Sequence, residues 1–367
     1  METDMLKEFR DLDFIKKIEI LTTIQNEKKT EYIPDLFELY NTPTGDDSID
    51  NIIEETLKNV VSLDEVQLRE KLRNGNQKEK IFCIKTAARF KINSAVPDLS
   101  AIVKEDLDDK TRYQILYALS EIKDRNSLPI FRSHIGYPDT IISALAIEMI
   151  GFFKDEESIV RLIGIINDAE SEENYKRCSV ETADSIDALS EFDSKEVLSF
   201  LVKKIHHKNP TARRIIHENL AAKGTASFPF LKKVFLGSNN DIKIMAANII
   251  GRIGDKSGCE ILISVLDSQK VCDSNLRYAI FEALGELKSL KGLIFLSEAL
   301  GETEFLVLMA VVHAINGQVN KKIIEQMVDM IKVNDQQSGN LIKAIVHTKS
   351  DRIFKEIYKS EPEIADQ

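Results

Sequence analysis

The sequence predicts an all-α chain, a right-handed α-solenoid superhelix of about eleven helical hairpins. Three observations carry this expectation. Apolar residues recur at offsets 0, 3, 4, 7, 8 and 11, which mark one face of an α-helix. A small residue follows the fifth apolar position, at intervals of 32, 31, 39, 31, 30 and 34 residues between Ala88 and Gly285. With 15 Gly and 8 Pro in 367 residues, and no sustained alternation of apolar and polar positions, no turn-rich β fold competes.

Along the chain, residues 1–75 read as divergent N-terminal repeats, with irregular copies near Thr22 and Asn59 and a polar connection over residues 41–47. Residues 76–301 hold the regular units. One first helix carries Gln114, Ile115, Ala118, Leu119 and Ile122, with Ser120 at the small position. The next carries Ile142, Leu145, Ala146, Met149, Ile150 and Phe153, with Gly151. Two more follow: Ile242, Met245, Ala246, Ile249, Ile250 and Ile253 with Gly251, and Leu276, Ala279, Ile280, Ala283, Leu284 and Leu287 with Gly285. Ala88, Ser190 and Ala221 fill the small position in weaker copies. A small side chain there lets a neighbouring helix approach closely. Asp124, Asp155 and Asp255 lie four residues further on, where a turn wants a side-chain oxygen. Pro34, Pro97, Pro129 and Pro229 sit where a second helix begins, since the first turn needs no N–H from them. An acidic insertion over residues 168–174 accounts for the 39-residue interval. Residues 302–367 read as divergent capping repeats, near His313 and Lys343, and a polar tail that frays.

Composition narrows the function classes. The net charge of -11, from 60 acidic and 49 basic side chains, opposes general attraction to phosphate polymers while allowing a local basic patch. Cys83, Cys178, Cys259 and Cys272 form no CxxC pair, so neither a zinc knuckle nor a redox couple is written here, and reduced structural thiols are expected. No secretory h-region is visible at the N-terminus, and the longest apolar run, Phe305 to Val312, is far short of the ~20 residues that cross a bilayer. A cytoplasmic location and no membrane association are expected.

No catalytic or metal-binding constellation is legible, so no catalytic residue, metal ligand, cofactor or enzyme activity is expected. Residues 251–254 have GxxG spacing, but they close a repeat helix and read as turn punctuation. No two of His134, His206, His207, His217, His313 and His347 stand three or four apart. His347 and Asp351 have i,i+4 spacing, half a metal site at best, and His313 lies in an apolar run and reads as a packing residue.

One feature rises above background. Between residues 197 and 240 the basic residues are Lys203, Lys204, Lys208, Arg213, Arg214, Lys223, Lys232 and Lys233, and the only acid is Glu218. Residues 155–196 instead hold thirteen acids and four bases. Adjacent units therefore change sign. His206 and His207 could add charge as pH falls. The candidate partner-binding patch is Lys203, Lys204, His206, His207, Lys208, Arg213, Arg214, Lys232 and Lys233. The bland alternative is a solvated face in which Arg213 joins a ladder between repeats. Reversing Lys203, Lys204, Arg213 and Arg214 to Glu is expected to remove partner capture without unfolding the chain.

The units resemble bacterial HEAT-like repeats of the short kind first associated with phycobilin lyases. Lys243, Ala246-Ala247, residues 250–253 and Gly254-Asp255 follow that pattern, as do Arg277, Ala279 and residues 284–287. Lys80, Arg112 and Arg213 occupy its basic position. The resemblance implies stacked hairpins with a concave surface lined by second helices. The extended surface of such an array and the basic patch together lead to the expectation of a non-catalytic scaffold or adaptor for a protein partner bearing an acidic or phosphorylated element, and the resemblance adds a role in bacterial signalling as a weaker implication. Two alternatives remain: a nucleic-acid-binding HEAT-like protein, against which the missing Trp and negative charge weigh, with Tyr175 the only Tyr near the charge step; and a chromophore-lyase subunit, for which no residue picks out a pocket.

Overall fold

The computed structural model describes residues 6–171, 178–237, 239–268 and 273–365. Among them there is no strand. Cys272, Tyr175 and the end of the acidic insertion lie outside the described residues. The chain divides into two units, residues 1–158 and 159–367.

The first unit holds α1 (Phe14–Asn26), α2 (Ile33–Asn41), α3 (Asp47–Val61), α4 (Glu65–Asn74), α5 (Gln77–Phe90), α6 (Val96–Ile102), α7 (Asp109–Ile122), α8 (Leu128–His134) and α9 (Thr140–Phe153). Odd-numbered first helices pack along one another, α1 on α3, α5 on α7 and α7 on α9, while α4 touches α6 in a second row.

The second unit holds α10 (Ile159–Asp168), α11 (Val180–Ser190), α12 (Lys195–Lys203), α13 (Pro210–Ala222), α14 (Phe228–Gly237), α15 (Asn240–Ile253), α16 (Gly258–Ser268), α17 (Ser274–Leu287), α18 (Leu290–Glu298), α19 (Phe305–Asn316), α20 (Lys321–Lys332), α21 (Gln336–His347), α22 (Asp351–Ser360) and the short α23 (Pro362–Ala365). Here α11, α13, α15, α17, α19 and α21 form one row, each packed on the next, and α12, α14, α16 and α18 form the other. First and second helices alternate eleven times along the sequence from α1/α2 to α21/α22. The fold is all-α, a solenoid of helical hairpins.

Local chemistry sets each boundary. Asp108, Asp139, Asn209, Asn239 and Asp273 accept backbone N–H groups at the starts of α7, α9, α13, α15 and α17. Pro34, Pro97 and Pro129 stand in the first turns of α2, α6 and α8. Five first helices close on a left-handed residue: Gly254 (φ 70°) after α15, but Lys91, Lys123, Lys154 and Lys288 (φ 52°, 58°, 51° and 45°) after α5, α7, α9 and α17.

The amphipathic pattern becomes the core. Ile142, Ala146, Met149 and Ile150 are buried in α9, and Leu276, Ala279, Ile280, Ala283, Leu284 and Leu287 in α17. The small positions do what their spacing predicts. A Cβ on Gly285 would stand 2.6 Å from Ala314 Cβ and 2.7 Å from Ala314 Cα, so α17 and α19 meet nearly backbone to backbone. Gly251 meets Ala283 in the same way across α15 and α17, where an added Cβ would lie 3.0 Å from the Ala283 Cα.

Several expectations change on contact with the structure. Residues 42–46 are a short, pinned turn: Thr44 donates through N and Oγ1 to Asp50 Oδ1, each at 2.8 Å. The C-terminal stretch continues as helix: Ile353 and Ile357 are buried on α22, and Lys332 Nζ donates to Glu361 at 2.8 Å. His313 is exposed on α19, on the face that also exposes Leu306, and is not packed among the apolar residues around it in sequence. His347 ends α21 and Asp351 begins α22, so a turn replaces the helical face their spacing suggested.

Candidate functional site

The basic segment folds as α12, a turn over residues 204–209, α13 and α14. Second helices α12 and α14 lie side by side. The structure sorts the candidate residues into two groups.

One group is committed to the fold. Lys204 Nζ donates to Glu170 Oε2, and the Lys208 backbone N–H donates to Glu170 Oε1 at 3.4 Å. Burial pushes the Glu170 carboxyl up, but the hydrogen bond and charge of Lys204 outweigh it and hold the group below its usual range. His207 has no exposed surface. Asn209 N–H donates to its Nδ1 at 3.1 Å, so the proton sits on Nε2, which faces the Ile166 carbonyl at 3.4 Å. Burial pushes this imidazole below its ordinary range. His207 is therefore a neutral internal group and not the surface charge its sequence neighbours suggested. Arg213 reaches back with Nη1 to the His207 carbonyl at 2.8 Å. Arg112, at the same repeat position, reaches the Val103 carbonyl at 2.6 Å after α6. Arg277 instead holds Glu302 and Glu304. At Arg112 and Arg213 the basic position of the repeat thus works as a clamp on the preceding connection, and at Arg277 it clamps a later one, between α18 and α19. Arg214 donates to both Glu218 carboxylate oxygens at 2.8 Å, and Lys223 to Asp193 at 2.8 Å.

The other group is exposed: Lys203 at the end of α12, His206 and Lys208 in the turn, and Lys232 and Lys233 on α14. Their side chains make no hydrogen bond or ion pair with the described residues. The partners that engage Lys204 of the patch and Lys223 of the same basic window stand 34 and 30 residues away in sequence, so only the folded chain reveals them.

Elsewhere, ion pairs join consecutive hairpins: Asp98 takes Arg69 and Arg73, each at 2.6 Å, and Asp155 takes Arg132 Nε at 2.8 Å and Ser158 Oγ at 2.6 Å. Cys83 and Cys259 are buried free thiols, and burial pushes Cys83 up to about 12. Among the described residues no three His, Cys, Asp or Glu side chains converge, and no helix is long and apolar enough to cross a membrane.

Comparison with known proteins agrees with the architecture. A family model for HEAT repeats matches residues 96–175 and 228–316, so these segments carry HEAT repeats. No curated protein matches the chain. Among solved structures, human deoxyhypusine hydroxylase in complex with glycerol aligns at 12% identity over 80% of this chain and 98% of that one, with a TM-score of 0.29. At that identity and score the likeness carries nothing over to this chain.

Proposed function

We propose that the chain is a non-catalytic scaffold or adaptor that binds a protein partner on the second-helix row of its second unit. The observation that carries this reading is the exposure of Lys203, Lys208, Lys232 and Lys233, on and beside two neighbouring second helices, with no acid among the described residues satisfying them. Exposed cations of one sign on neighbouring helices speed and orient encounter with an acidic partner. A cytoplasmic location, and a bacterial signalling setting of the phycobilin-lyase-type repeat, extend the same reading from the family resemblance.

The test is affinity capture from the native lysate with wild type and with Lys203→Glu, Lys232→Glu and Lys233→Glu combined. These three replace the set that included Lys204 and Arg213, because those two hold the fold. Circular dichroism and melting must stay unchanged in the variant. Loss of one or more captured proteins supports the reading, and an identical capture profile rejects it.

A further inference from the structure

The chemistry of the exposed lysines says more about the element they take. We propose that the α12–α14 surface reads spaced carboxylates of an acidic protein segment in preference to a single phosphate group. This rests on the scaffold reading above and deepens it.

Two features argue for carboxylates. First, the guanidiniums of the basic segment are engaged: Arg213 is turned onto the His207 carbonyl and Arg214 is closed on Glu218. A phosphate is best gripped by forked donors that converge on one point. The exposed groups that pair with none of the described residues are the ammoniums of Lys203, Lys208, Lys232 and Lys233 and the imidazole of His206, distributed over α12, its turn and α14. Packed helices stand about 8–10 Å apart, so lysines on neighbouring helices suit separate charges rather than one. An extended chain covers that distance in about three residues.

Second, the same segment already holds carboxylates of its own. Lys204 carries Glu170 and Lys223 carries Asp193, both acids coming from outside the basic window. Lysine-on-carboxylate is thus the pairing this segment uses internally, and the remaining ammoniums offer it to another chain.

The experiment measures binding of three labelled peptides of equal length to the full chain by fluorescence anisotropy. One carries glutamates three residues apart, one is neutral apart from a single phosphoserine, and one is neutral throughout. The glutamate peptide is expected to bind at least about tenfold tighter than the phosphoserine peptide. Its affinity should fall steeply with salt and drop about tenfold in a variant combining Lys203→Gln, Lys232→Gln and Lys233→Gln. Equal or tighter phosphoserine binding overturns the proposal and leaves the scaffold reading standing. Glutamate-peptide binding that ignores the triple variant, or no binding of that peptide at all, also overturns it. The lysate capture then decides the scaffold reading separately.

Discussion

Arg213 Nη1 donates to the carbonyl of His207 at 2.8 Å, tying α13 back to the turn that precedes it. This makes Arg213 a structural clamp. Arg213→Ala should lower unfolding stability by about 1–3 kcal/mol, the range for a hydrogen bond to a charged group. Urea titration measures the loss, and Arg213→Lys should recover part of it. Peptide affinity per folded molecule should stay unchanged, and a fall as large as that expected of the combined Lys203→Gln, Lys232→Gln and Lys233→Gln variant would return Arg213 to the binding surface.

Acid should weaken the same region through its buried histidines. His207 and His217 are held below the ordinary histidine range, by burial first, and His217 Nε2 donates to the Ile205 carbonyl at 2.7 Å. An unfolded histidine takes its proton near about 6.5. The folded chain resists, so the unfolded state binds more protons as pH drops. Stability is full above that value and is lost as pH falls towards the depressed folded values. Urea midpoints should therefore decline between neutral pH and about pH 5, and a His207→Gln, His217→Gln double variant should flatten the slope over that window. An undiminished slope in the double variant would place the acid sensitivity elsewhere.

Asp155 is nearly fully buried, and burial raises its carboxyl, but Arg132 and Ser158 overcome that and keep it below its usual range. Asp155→Asn keeps the shape and removes the charge. It should cost about 1–3 kcal/mol in thermal or urea unfolding, with Arg132→Ala and the double variant giving a non-additive cycle. Strict additivity would mean the pair does not interact.

Glycine substitutions should split by neighbour. Gly164 in α10 has nothing within 4 Å of an added Cβ, so Gly164→Ala should stabilise by about 0.5–1 kcal/mol through helix propensity. Gly285→Ala gains the same propensity but drives a methyl against the Ala314 backbone. Overpacking there costs about 1–3 kcal/mol, so the net sign reverses. Paired melting curves settle both, and a stabilised Gly285→Ala would show that α19 can retreat freely.

Helical periodicity made the fold legible because it depends on residues three and four apart. The offsets at Ile142, Ile242 and Leu276 fall within α9, α15 and α17, and Gly251 and Gly285 stand at the close approaches their size suggested. The surface was less legible because ion pairing is long-range. Sequence placed Lys203 and Lys204 side by side as equals, yet one is exposed and the other is closed on Glu170. His207 looked like its neighbour His206 until the turn buried it. The repeat-wide basic position was the one available signal that Arg213 belonged to a clamp, since Arg112 shares it.

The rows of the second unit are fastened by different means. Glycine and alanine seat α17 on α15 and α19, with Arg277 also holding Glu304 at the start of α19, whereas the second-helix edge is bridged by Lys291–Glu260 and Lys332–Glu361, pairs open to water. Dissolved ions screen the open pairs and leave the close seat of Gly285 on Ala314 untouched. Rising ionic strength should then fan the hairpins like pages loosening at the fore-edge of a book while the spine holds, changing the pitch at which the lysines are displayed.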